Sequence, residues 1–190
     1  MKRLLIMLVL ASMVLGLASI ACAVDAEDPL SWFQVTVRKN GTQIVSDSSI
    51  FDLGSLGLWD VSYTGAATIS PTGSGSATLT GNFPGEYIWN FAYSEDNSTW
   101  HDLTPLVGTF STSGGISATR EATVSDYGQI NARYIRIQHD ATLSTVGSAA
   151  MASGTAAMTV AAVPEPGAVL ASLSLLASAE MLLRRRRRSK

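Results

Sequence analysis

The sequence predicts an all-β chain: a single antiparallel β-sandwich or jelly-roll domain, flanked by an N-terminal signal peptide and a short C-terminal transmembrane helix. Three observations lead there. Interior runs such as Phe33, Val35, Val37 and Arg133, Ile135, Ile137 alternate with other residues at period two. From about Ser31 to Val163 no stretch keeps helical periodicity for ten residues. The long apolar runs, Leu4 to Ile20 and Ala168 to Leu183, instead sit at the two ends. Of the 190 residues, 46% are apolar and 15% charged, and the roughly 130 between the ends suffice for one core.

The first element, residues 1–23, reads as a signal peptide. Met1-Lys2-Arg3 gives the positive start, and the run from Leu4 to Ile20 is interrupted only by Ser12, Gly16 and Ser19. Ala21 and Ala23 supply the small residues a signal peptidase needs. A retained anchor fits less well, because Asp25, Glu27 and Asp28 follow at once, and Ser19 argues against lipidation of Cys22. Cleavage after Ala23 removes the only cysteine, so the exported domain relies on packing and sheet hydrogen bonds.

The domain, residues 24–162, follows as a series of short strands. Phe33, Val35 and Val37 form the first, Asn40-Gly41 signals a type I′ turn, and Thr42 to Val45 is expected to return as a hairpin. Ser70 to Ser76 reads as a strand connection. Tyr87, Trp89, Phe91 and Tyr93 share one strand face, which suits a buried core side better than a sugar-stacking platform. Glu95-Asp96-Asn97 reads as turn chemistry rather than a calcium site. Gly147 to Ala157, rich in small residues, is either a small-residue strand or a linker.

The last element, residues 163–190, is an address. Val163, Pro164, Glu165 and Pro166 precede a predicted transmembrane helix over 168–183, followed by Arg184, Arg185, Arg186, Arg187 and Arg188. Sixteen helical residues reach about 24 Å, short of a hydrocarbon core of roughly 30 Å, so this is a weak anchor. The arginines would hold that end in the cytoplasm and leave the domain outside. The Pro-Glu-Pro motif, apolar helix and terminal arginine cluster together resemble the PEP-CTERM sorting signal of Gram-negative bacteria. That resemblance implies signal peptidase and an exosortase as partners. It also implies transient residence in the inner membrane and delivery to the cell surface or an extracellular polysaccharide matrix.

Within the domain, Asp52-Leu53-Gly54, Tyr93 to Trp100 and Arg133 to Ile137 follow the order found in discoidin-like, galactose-binding-type β-sandwiches. This second resemblance implies a jelly roll whose loops bind sugars or other surface ligands.

Charge and chemistry narrow the function. Residues 24–163 hold five basic and thirteen acidic side chains, a net of −8, which excludes the basic face a nucleic-acid binder needs. No Gly-x-Ser-x-Gly elbow or P-loop occurs, and two histidines without cysteines or suitable spacing make no metal site. His101 reads as a strand-end surface residue and His139 as the close of a strand. No cofactor and no catalytic residue are expected, and the ligand-binding residues stay unassigned. The sequence therefore points to an exported, non-enzymatic surface or matrix protein that binds exopolysaccharide. The alternative is a small secreted polysaccharide hydrolase working through a pair of its carboxylates.

Overall fold

Two strands of 30 and 29 residues dominate the structure, a computed structural model that describes residues 29–163. In chain order the strands are β1 (Leu30–Val37), β2 (Thr42–Pro71), β3 (Ser76–Gly81), β4 (Tyr87–Ser94) and β5 (His101–Asp102), then β6 (Leu106–Gly108), β7 (Phe110–Ser113), β8 (Ala118–Val146) and β9 (Ala150–Ala162). No helix occurs among the described residues. The expected signal peptide with Ala21 and Ala23, Pro164-Glu165-Pro166, the helix over 168–183 and Arg184 to Arg188 lie outside them. Of the sorting motif only Val163 is described, just past β9.

The long strands β2 and β8 pair antiparallel from Thr42↔Ser144 to Ile69↔Ala118. The sequence reading expected several short strands here, since Gly and Ser interrupt both runs. The ladder bends instead of ending. Its register shifts fall between Asp52 and Gly57 and between Val61 and Tyr63. Gly54 (φ +83°) and Gly128 (φ +100°) accommodate those shifts in backbone that other residues rarely adopt. The first half of β2 shares β8 with β3 and β4, whereas β2 also neighbours β9, and β9 pairs with β1 at the sheet end. One ladder thus supplies both layers of a sandwich.

A second expectation fails at Asn40-Gly41. Asn40 takes a left-handed φ of +55°, yet β1 and β2 form no hairpin: β1 pairs with β9 and Thr42 starts the β2–β8 ladder. The turn is claimed by Thr145, whose Oγ1 donates to Arg38 O (2.7 Å) and accepts from Gly41 N (3.2 Å). Gly147 N donates to Asn40 Oδ1 at 2.7 Å, so the turn crosses between layers. The small-residue segment from Gly147 resolves as strand: Ala150, Ala152, Gly154, Ala156 and Met158 alternate inward along β9. Gly154 must stay small, because an added Cβ would collide with the Phe33 ring.

The aromatic stripe is core, as expected. Trp89 and Phe91 are fully buried, and Tyr87 and Tyr93 are half-buried. Trp89 sits 5.5 Å from the Phe33 ring and donates its indole N–H to Ala66 O at 3.1 Å, tying β4 to β1 and β2 across the sandwich. Phe91 packs 4.5 Å from Tyr63. Truncating Trp89 should cost about 3–5 kcal/mol, the usual loss for a buried large aromatic. Denaturant unfolding of the Trp89→Ala domain measures it, and a midpoint equal to that of the parent would contradict this packing.

Candidate functional site

Three polar features stand out on the sandwich. The first joins the pieces of the discoidin-like pattern. Arg133 donates from Nε and Nη2 to the two Asp52 oxygens at 3.2 and 3.0 Å, closing the bend in the ladder. This pairing holds the Asp52 carboxyl below its usual range, chiefly through the Arg133 hydrogen bond. Asp96 accepts from Ser98 Oγ (2.6 Å) and from the Thr99 and Ser98 amides (2.8 and 2.9 Å), which keeps its carboxyl well below the usual range. Both carboxylates are committed to turn structure, as expected for Glu95-Asp96-Asn97.

The second feature lies on the outer face of β4 and β8. Asn90 Nδ2 donates to Asp102 Oδ1 (3.1 Å) and Gln138 Oε1 (3.4 Å), and Arg136 lies 3.9 Å from Asp102. The Arg136 guanidinium covers one face of Trp100 at 4.3 Å. These side chains contact one another, although Arg136 Nε is buried without a hydrogen-bond partner.

The third feature differs. Between β1 and the first half of β2 lies a cleft of about 440 Å³, walled by Leu30 to Gln34 on one side and by Val45, Ser46, Asp47 and Ser49 on the other. His139 of β8 forms part of its lining, directly opposite Asp47 in the ladder. Alternation along β1 turns Ser31 and Phe33 inward and Trp32 outward. Trp32 is 67% exposed, in contrast to buried Trp59 and Trp89. A second depression of about 290 Å³ shares Trp32, Phe33 and Gln34 with the cleft and is lined also by Ala66, Thr68, Ser153 and Thr155.

His139 corrects the sequence reading. Placed there as the close of a strand, it instead lies inside β8 at 2% exposure, against Phe33 (5.1 Å) and Trp89 (5.3 Å). Its neighbour pattern, Ile135, Ile137, His139, Ala141, is the inward series of β8, and that period-two signal could have placed it. Its Nδ1 is buried without a hydrogen-bond partner, a condition uncommon for buried polar atoms. Burial holds its pKa below 6.5, against the opposing pull of Asp47 and Asp140. Trp32 was also missed, since one tryptophan in an alternating strand carries no mark of which face it takes. His101, by contrast, is exposed and stacks on Tyr93 at 5.1 Å, as a surface residue should. Among the described residues no group of three or more His, Cys, Asp or Glu is placed to hold a metal ion.

No protein-family model matches this chain, and no curated protein does. Similar solved structures are distant. A Bacillus endospore appendage, a disulfide-linked pilus, is 13% identical over 76% of this chain and 97% of that chain, with a TM-score of 0.28. The module CpGH89CBM32-5 from Clostridium perfringens, in complex with GalNAc-β-1,3-galactose, is 12% identical over 62% and 95%, with a TM-score of 0.25. TmCBM61 in complex with β-1,4-galactotriose is 8% identical over 70% and 88%, with a TM-score of 0.30.

The buried histidine gives a pH prediction with a definite sign. Its folded pKa is depressed below 6.5, so on acidification the unfolded chain takes up its proton first and stability falls. The loss starts near the unfolded value and levels off below the folded one. Asp52 and Asp96, whose carboxyls are depressed, lose their contributions only below about pH 4, outside this window. The melting temperature should therefore drop between about pH 7 and pH 5, and His139→Gln should flatten that drop. An equal slope in the variant would contradict the assignment.

Proposed function

We propose that this protein is an exported, non-enzymatic surface or matrix protein that binds exopolysaccharide in the cleft between β1 and β2. The observation that carries the reading is Trp32, 67% exposed at the rim of a cleft that also presents Gln34, Ser46, Asp47 and Ser49. Sugars are held by stacking an apolar ring face on an aromatic side chain while hydroxyls meet fixed polar groups. The cleft offers both. Its lining contains one carboxylate, Asp47, whereas glycoside hydrolysis ordinarily uses two flanking the scissile bond. That supports binding over turnover.

The delivery half of the proposal rests on the sequence. The signal peptide with Ala21 and Ala23, the motif Val163 to Pro166 and the cluster Arg184 to Arg188 fit export, brief inner-membrane anchoring and exosortase-dependent release to the surface. Mass spectrometry of surface material should find the chain cut near Pro164-Glu165-Pro166; recovery of an intact C-terminal Lys190 would contradict the route.

For the binding half, the Trp32→Ala protein should melt within about one or two degrees of the parent, as expected for an exposed side chain. It should nonetheless lose retention on bacterial exopolysaccharide. Release of reducing sugar by the parent would instead establish the hydrolase.

A further inference from the structure

Resting on the glycan-binding reading, we infer that the ligand of the β1–β2 cleft is an uncharged polysaccharide, gripped along its chain over several sugar units rather than at one terminal residue.

The charge class follows from what lines the cleft. Asp47 is its one charged side chain, and no Lys or Arg is present to receive a carboxylate, sulfate or phosphate. The five cations of the described residues all lie outside the lining of the cleft. Arg133 is bound to Asp52, Arg136 lies over Trp100, Arg38 and Lys39 follow the far end of β1, and Arg120 pairs with Ala67 in the other half of the ladder. A polyanion would bring its charges against Asp47 in a domain whose described residues hold ten acidic and five basic side chains, a like-charge encounter that costs affinity and association rate. A polycation would find one carboxylate in the cleft, not the array that repeated cationic units require.

His139 supports the same choice. Its Nδ1 is buried and unpartnered, and a neutral imidazole nitrogen accepts or donates according to tautomer. That atom is closed to solvent, so it presents no charge to a ligand in the cleft. Burial that depresses the imidazole pKa keeps the ring neutral at neutral pH, which removes it as an anion-binding charge.

The multi-unit grip follows from the second depression. Trp32, Phe33 and Gln34 line both the 440 Å³ cleft and the 290 Å³ one over Ser153 and Thr155. A sugar stacked on Trp32 thus has room for neighbours in both depressions. The small side chains Ala66, Ser153 and Gly154 keep the outer depression open.

Affinity electrophoresis of the full-length protein through gels containing dextran, galactan, alginate or chitosan tests the charge class, with raised salt in parallel. Retardation is expected in a neutral gel, insensitive to salt, and absent with Trp32→Ala. Competing oligosaccharides of four or more units should bind at least about tenfold tighter than the monosaccharide. Retardation by alginate or chitosan alone would overturn the uncharged assignment while leaving glycan binding standing. Equal competition by monosaccharide and oligosaccharide would overturn the multi-unit grip. Neutral-gel retardation that survives Trp32→Ala would remove the ligand from this cleft. Retardation by none of the four would overturn the glycan-binding reading itself.

Discussion

The antiparallel ladder between β2 and β8 is the contact on which the other elements depend. It runs from Thr42↔Ser144 to Ile69↔Ala118, and its two halves belong to the two layers of the sandwich. Because side chains alternate along it, one register fixes which residues face inward in both layers at once. The register shifts near Gly54 and Gly128 let the ladder bend without losing that alternation. Trp89 then locks the layers together, touching Phe33 of β1 and His139 of β8 while bonding Ala66 of β2.

The cleft is a consequence of this arrangement. β1 is the end strand of the sheet order, beyond β9, whereas the first half of β2 lies beside β8 in the other layer. The space between the two edges holds Phe33 and His139 at its inner side and Trp32 at its rim. Elsewhere Asp52 is paired with Arg133 and Asp96 with its own turn, and Arg136 lies over Trp100. In the cleft, His139 Nδ1 is buried and unpaired. Arg136 Nε and Ser148 Oγ are likewise buried without a partner, so what distinguishes the cleft is the exposed Trp32 beside its polar lining.

Much of the fold was legible because period-two burial is a local property. Phe33, Val35 and Val37 face inward together, as do Ile135 and Ile137, and Trp89 and Phe91 are core. Strand pairing was less legible. Asn40-Gly41 carries the sequence signal of a hairpin, but its hydrogen bonds are taken by Thr145 and Gly147, more than a hundred residues away. No local rule reports a partner at that distance. The glycines of β2 and β8 misled for a related reason, since a residue that ends one strand bends another when a long partner is present. The cleft escaped notice because it is assembled from β1, β2 and β8, and none of Trp32, Asp47 and His139 belongs to a motif. The acidic balance of the domain was readable from composition, and it bears on the proposed ligand.

The four tryptophans allow the central claim to be tested in one spectrum. Trp59 and Trp89 donate their indole N–H groups to Ala132 O and Ala66 O inside the domain, Trp100 lies under Arg136, and Trp32 stands at the cleft rim. In two-dimensional nitrogen–proton spectra, titration with oligosaccharides of an uncharged exopolysaccharide should move the indole signal of Trp32 and leave those of Trp59, Trp89 and Trp100 in place. A shift at Trp100 with Trp32 unmoved would contradict the account and place binding on the opposite layer.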